Sequence, residues 1–270
     1  MNLSNNTILI TGGGSGIGLA LAKELFVNNR VLICGRNIER LQQVKNKFPK
    51  IEIIQCDISN EESVIKLIDE IELKYASLNF LINNAGVMNF WNLTKEISNP
   101  TELNNEIQTN LIGTIGLTQG LLPHLLKQEN GIILNVSSAL AFVPMSAAPI
   151  YSATKAALHS YSISLRQQLE NTNTKVFELL PAAIDTEMAI NMKKGIGMQN
   201  QGKDMSPEKL AELTITALRK DRLEIRPGMA NMLYKINQIL PSVARKMISI
   251  QSKKILNKIN NKRNEQNNRH

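Results

Sequence analysis

This 270-residue chain has few of the features that mark disulfide scaffolds, metal centres, membrane spans or aromatic-rich β sandwiches. Its only cysteines are Cys34 and Cys56, each in an apolar strand-like run and far from any histidine cluster. That placement predicts buried thiols and argues against a disulfide or a zinc site; no metal is expected. Aromatic residues make up 4% of the chain and tryptophan occurs once, so the core must be built from aliphatic side chains, as in α/β proteins. No uninterrupted apolar run reaches the roughly 18 residues of a transmembrane helix. The opening Met1-Asn-Leu-Ser-Asn-Asn-Thr7 has neither a basic nor an apolar leader region. These absences predict a soluble cytoplasmic protein.

The charge present is uneven. Formal net charge is +8, and from Gln251 onward six cations face Glu265 alone, so the last stretch carries five of those eight charges. Residues 260–270 are polar, rich in Asn and unable to bury a core, which predicts a disordered, solvated basic tail. Contact with nucleic acid or membrane through that tail is the less favoured reading.

No composition break divides the chain, and its length suits one large α/β domain. Thr7 to Thr11 is a short β-branched run ending in glycines, after which Ile17, Leu21, Ala22, Leu25 and Phe26 recur at helical spacing. The alternation continues. Strand-like runs stand at 31–34, 51–56, 78–82, 131–136 and 175–180, with helical patterns between them, including 61–75, 100–126 and a helix through Tyr151 to about Glu170. This pattern predicts a doubly wound, Rossmann-type parallel sheet. The boundaries expected are a main α/β domain over 1–228, a C-terminal helical extension over 229–259 and the tail over 260–270. Thr186 to Asp204, with three methionines and several amides, reads as an adaptable covering segment. Ser206-Pro207 reads as a helix start and Leu223 to Arg226 as a last short strand. From Met229 the helical pattern, broken at Pro241, reads as packing on the domain or on a partner subunit rather than as an amphipathic membrane contact.

Two motifs carry chemistry. Gly12-Gly-Gly-Ser15-Gly16-Ile17-Gly18 opens a helix directly after the first strand, where bare backbone N–H groups can approach a pyrophosphate. Tyr151 and Lys155, at i and i+4, project from one helix face, so an ammonium can stand beside a phenol. Lowering a phenol from ~10 by roughly three units asks for about 4 kcal/mol of preference for phenolate. By itself that spacing is common and decides little. Where an NAD enzyme needs a carboxylate for the ribose hydroxyls, at the end of the second strand, stands Gly35-Arg36, and a guanidinium favours the extra phosphate of NADP(H) over NAD(H).

Gly12-x-x-x-Gly16-x-Gly18, Asn83-Asn84-Ala85-Gly86, Asn110, Ser138 and Tyr151-x-x-x-Lys155, in this order, resemble the short-chain dehydrogenase/reductase family over residues 7 to about 186. More narrowly, Leu9-Ile-Thr-Gly-Gly13, Cys34-Gly-Arg36, Gln55-Cys-Asp57 and Ala153-Thr-Lys-Ala-Ala-Leu-His-Ser160 resemble the bacterial DltE-like oxidoreductases. The resemblance implies an NADP(H)-dependent oxidoreductase interconverting a carbonyl and a secondary alcohol on a small-molecule substrate, and a homo-oligomer, dimer or tetramer. Tyr151 would be acid and base, Lys155 would lower its pKa and hold the nicotinamide ribose, Ser138 would bond the substrate oxygen, and Asn110 would anchor a proton-relaying water. It further implies Asp57 and Ile58 at the adenine, Asn84, Ala85 and Gly86 along the adenosine ribose, and Ile184 and Thr186 at the carboxamide. Two departures stand out: Pro181-Ala182 where the family has Pro-Gly, and Glu224-Ile-Arg-Pro-Gly228 at the last strand. The alternative reading is a catalytically silent NADP-binding regulatory or scaffold protein. Trp91, Phe142 and Met145 are candidates for an apolar or amphipathic substrate pocket, and His159 for a packing or interface residue.

Overall fold

The computed structural model describes residues 1–94, 100–198 and 204–267. Seven parallel strands form one sheet: β1 Thr7–Thr11, β2 Arg30–Gly35, β3 Glu52–Gln55, β4 Leu78–Asn83, β5 Gly131–Val136, β6 Thr174–Leu179 and β7 Glu224–Ile225, in the spatial order β3-β2-β1-β4-β5-β6-β7. Parallel strands need crossovers, and these are α1 Gly16–Leu25, α2 Ile38–Lys47, α3 Glu61–Lys74, α4 Pro100–Ile107, α5 Gly113–Leu125, α6 Pro149–Gln168, α7 Glu187–Gly195 and α8 Pro207–Arg219. The chain ends in α9 Met229–Ile239 and α10 Pro241–Asn267. The doubly wound α/β expectation therefore holds.

Alternate side chains of each strand leave by opposite faces, so each strand contributes to two apolar layers. Ile8, Ile10, Val31, Ile33, Phe80 and Phe177 pack with Leu21 and Leu25 of α1, Leu41 of α2 and Leu210 and Leu218 of α8. Leu9, Leu32, Leu81 and Ile133 pack on the other side with Leu67 and Ile71 of α3, Leu117 and Leu121 of α5 and Leu165 of α6. Cys34 and Cys56 are free and buried in this second layer. Helix starts follow local chemistry: Asn37, Asn60, Thr186 and Ser206 each accept a hydrogen bond from the amide three residues on.

Three features differ in detail from the sequence expectations. Between α4 and α5 a π-helical turn, Gln108–Ile112, interrupts the ladder around Asn110. Part of the supposed covering segment is α7, capped by Thr186; residues 199–203 lie outside the described residues. The backbone of α10 is helical to Asn267, past position 260 where the disordered tail was expected to begin. Its buried Ile255 and Ile259 carry the apolar spacing of the helix up to that point.

Candidate active site

Between β1 and α1 the chain turns sharply. Gly12 takes φ 64°, in the left-handed region. A Cβ on Gly18 would stand 2.5 Å from the Gly12 carbonyl oxygen and 2.5 Å from Asn84 Nδ2, so α1 can close on the turn only with glycine there. Thr11 Oγ1 accepts from the amides of Asn84 and Ala85 at 2.9 and 3.0 Å. Asn84 Nδ2 donates to the carbonyls of Thr11 and Gly12 at 2.9 and 3.2 Å. The Asn84 side chain is thus a brace for the turn.

A cavity of about 360 Å³ is lined by this turn, by the ends of β2 and β3, and by the first turns of α6 and α7. Of the expected binding residues, Gly12, Ser15, Gly16, Ile17, Arg36, Asp57, Ile58, Asn84, Ala85, Gly86, Tyr151, Lys155 and Thr186 line it. Gly18 lies beneath the turn, and Ile184 is buried, bridging to Met205. Asp57 Oδ1 accepts from the amide and hydroxyl of Ser59 at 3.0 and 2.7 Å. Arg40 also lines the cavity, its guanidinium 2.9 Å from Glu187 Oε1 and 3.4 Å from Ser15 Oγ. This residue escaped the sequence reading; the available signal was a second arginine one helical turn after Arg36, just inside the helix that Asn37 caps.

At the other end Tyr151, Lys155, Ser138 and Asn110 converge from α6, the segment after β5 and the π turn. Lys155 is buried; its ammonium donates to the Val136 carbonyl at 2.8 Å and lies 5.6 Å from the centre of the Tyr151 ring. Asn110 Oδ1 accepts from the Val87 amide at 2.8 Å, while its Nδ2 donates to Val87 O at 2.8 Å and Thr154 Oγ1 at 3.2 Å. A Cβ on Gly86 would meet both Asn110 Oδ1, at 3.3 Å, and Lys155 Nζ, at 3.6 Å. Asn110 therefore locks the loop after β4 against α6. Its side chain serves the Val87 backbone and the Thr154 hydroxyl.

Burial pushes the Tyr151 phenol up to about 12; the Ser138 hydroxyl partly offsets this, and Glu106 adds to it. Removing the phenolate from water thus outweighs the acidification expected from Lys155. Burial also depresses Lys155, to about 8, and the nearby Glu178 carboxylate works against that depression.

Two buried acids support this end of the site, and neither was singled out in the sequence. Glu178 of β6 has no exposure; it accepts from Ser137 Oγ and pairs with His159 Nδ1 at 2.7 Å. That hydrogen bond raises His159, which is half-buried and pairs with the buried Glu178. Ser137 follows Val136, so Glu178 and Lys155 grip adjacent residues of the strand that delivers Ser138. Glu106 of α4 is also fully buried, accepting at Oε2 from Trp91 Nε1 at 3.2 Å and Asn89 Nδ2 at 3.4 Å, and burial raises its pKa. Trp91, Phe142 and Met145, read as pocket candidates, do not line this cavity: Trp91 serves Glu106, Phe142 stacks edge-on with Tyr234 at 5.3 Å, and Met145 packs with Ala147 and Ile255. At the last strand, Glu224 pairs with Arg226 and Arg166, and Arg226 stacks on Tyr234.

Comparison with known proteins bears on the family and the fold. A family model described as short chain dehydrogenase matches residues 6–197. The uncharacterized oxidoreductase DltE of Bacillus subtilis (strain 168) is 38% identical over 226 residues, covering 83% of this chain and 89% of that protein. An uncharacterized oxidoreductase of Staphylococcus aureus (strain USA300) is 32% identical over 225 residues, covering 82% of this chain and 94% of that protein. Among solved structures, a short chain dehydrogenase from Burkholderia cenocepacia J2315 in complex with NADP superposes with a TM-score of 0.79 at 24% identity, covering 92% of this chain and 99% of that one. A 3-ketoacyl-(acyl-carrier-protein) reductase from Brucella melitensis complexed with NADH gives 0.72 at 26% identity, covering 83% and 97%.

Proposed function

We propose, from the premise that this chain belongs to the short-chain dehydrogenase family and is an NAD(P)-dependent oxidoreductase, that it interconverts a carbonyl and a secondary alcohol, prefers NADP(H), and uses Tyr151 as acid and base. The observation that carries this reading is one cavity lined at one end by the glycine turn and Arg36 and at the other by Tyr151 and Lys155.

The residues fit a dinucleotide. Gly12 and Gly18 let the turn close tightly on Asn84, Ala85 and its own backbone, and the α1 N-terminus that follows would face a pyrophosphate. Arg36 and Arg40 together offer two guanidiniums to a 2′-phosphate. Lys155 and Thr186 would hold the nicotinamide end. The bound reduced cofactor supplies hydride to the substrate carbonyl carbon. Tyr151 keeps its proton at every physiological pH, since burial holds the phenol at about 12. As the substrate oxygen gains negative charge it becomes the stronger base and takes that proton, with Ser138 steadying the oxygen. The phenolate left behind is stabilised by the Lys155 ammonium. Val136 O, Thr154 and Asn110 keep α6 and Lys155 in register through this transfer.

The test is NADPH oxidation across ketones, aldehydes, quinones and sugars, with wild type beside Tyr151→Phe. Loss of the positioned acid should cost about 10²–10⁴-fold in turnover with NADPH binding intact. Full activity in Tyr151→Phe would overturn the acid assignment. NADPH binding without turnover of any carbonyl would favour the regulatory alternative.

A further inference from the structure

The large apolar side chains left in water concentrate where α9 turns into α10. Ile239 is 77% exposed and Leu240 54%, and Val243, Met247 and Ile250 follow at 43%, 41% and 52%. The last three, four and three residues apart, share one face of α10. It is not the face that holds Ala244, Ile255 and Ile259, which pack into the core against Val143, Met145 and Ala148. Met229 and Met232 extend the exposed apolar surface along α9, at 64% and 47%. A cluster of this kind marks an interaction site rather than ordinary surface.

Charge decides what covers it. No Asp or Glu stands between Glu224 and Glu265, while six cations lie between Lys235 and Lys258. Lys246, Lys253, Lys254 and Lys258 are exposed, the first three standing three or four residues from Val243 or Ile250 and therefore beside or in line with the stripe. A second copy seated symmetrically on this stripe would bring like lysines together with no carboxylate on those stretches to pair them. A layer of anionic headgroups over acyl chains meets the cations and the apolar side chains at once.

We propose that the α9–α10 elbow docks on an anionic phospholipid surface, with the stripe from Ile239 to Ile250 at the acyl boundary and the flanking lysines on the headgroups. Among the described residues no helix is long and apolar enough to cross a membrane, so the contact is peripheral. The inner side of α10 packs through Ile248, Ile255, Leu256 and Ile259 on a cluster that includes Tyr151, Met88 and Phe90. Docking therefore sets α10 between the bilayer and the cluster that holds Tyr151. This inference reverses the expectation that 229–259 packs rather than makes an amphipathic membrane contact: the inner face packs, whereas the outer face needs a partner. It stands independently of the catalytic assignment, because binding is read without turnover.

The test is co-sedimentation of the full-length protein with phosphatidylglycerol-containing vesicles beside pure phosphatidylcholine vesicles, at low and high salt. Wild type should bind the anionic vesicles at least about tenfold more tightly, and raising the salt should weaken that binding. A triple variant, Ile239→Ser, Val243→Ser and Met247→Ser, should lose binding about tenfold or more while its NADPH affinity, measured by calorimetry, stays at the wild-type value. Equal recovery with both vesicle types, or undiminished binding by a variant that still binds NADPH, would overturn the proposal. So would light scattering that shows a wild-type dimer becoming a monomer in the triple variant, since the stripe would then be the cover between two copies.

Discussion

Cofactor choice gives the most quantitative test of the site. Arg36 is exposed at the end of β2 and free to turn onto a 2′-phosphate, whereas Arg40, one helical turn on, is held by Glu187 across the mouth of the cavity. One charge-assisted hydrogen bond to phosphate contributes about 1.5–3 kcal/mol, so Arg36→Ala should weaken NADPH binding roughly 10- to 150-fold and leave NADH within about twofold. Arg40 can contribute only by leaving Glu187. That pair is exposed on both sides, at 44% and 52%, and is worth about 0.2–1 kcal/mol. Glu187→Gln should therefore tighten NADPH by about 1.4- to 5-fold without changing NADH. Arg40→Ala should cost NADPH about as much as Arg36→Ala, less what the Glu187 pair returned. Calorimetric titration of the four proteins with both cofactors, at fixed salt because the phosphate contact is screened, reads each ratio directly. If Arg36→Ala weakened both cofactors by the same factor, the guanidinium would be no phosphate reader, and the preference for NADP(H) would have to be abandoned.

Three further outcomes are expected. NADPH-dependent turnover should fall as pH rises through about 8, where Lys155 loses its proton and its hold on the phenolate; in Glu178→Gln, lacking the charge that supports the ammonium, the fall should begin at lower pH, which a pH–rate profile of both proteins checks. Glu106→Gln should match wild type in thermal unfolding at acid pH and exceed it by a few degrees near neutrality: burial raises the Glu106 pKa, so its favourable neutral form is complete at low pH and lost as pH rises through the folded value. A wild type more stable than Glu106→Gln at neutral pH would show that the ionised acid is the form the fold wants. Gly18→Ala should abolish NADPH binding and destabilise the fold by about 1–3 kcal/mol in chemical denaturation, because the new methyl meets the Gly12 carbonyl oxygen, backbone that cannot step aside.

Much of the molecule was legible in its residues. The alternation of β-branched runs with 3.6-period segments implied crossovers, and crossovers of this length leave only a parallel sheet wound on both faces. The glycine turn could be read because a helix N-terminus over bare backbone has few other uses; the spacing of Tyr151 and Lys155 placed them on one helix face, but only the ordered set of motifs around them gave that spacing a meaning. Arg40 was harder, since a lysine or arginine in a first helical turn is ordinary until its neighbours across the cavity are known. Glu106 and Glu178 gave no signal at all, and His159 read only as a packing or interface residue. A carboxylate in a strand or a histidine on a helix looks the same whether it faces water or the core, and what decides its pKa lies far away in the chain.

What the sequence determined by itself was therefore the order of elements, the glycine turn and the placing of Tyr151 and Lys155 on one helix face, all of which rest on local periodicity and fixed spacing. Only the tertiary structure decided the electrostatics around them. It is the pairing of β5 with β6, with α6 packed above, that sets Glu178 under His159 and within reach of Lys155. It is the folding of the loop after β4 onto α4 that buries Glu106 beneath Trp91. And it is the packing of one face of α10 that leaves Val243, Met247 and Ile250 outside. Charge and exposure depend on which surfaces meet, and that is a property of the folded chain rather than of any stretch of it.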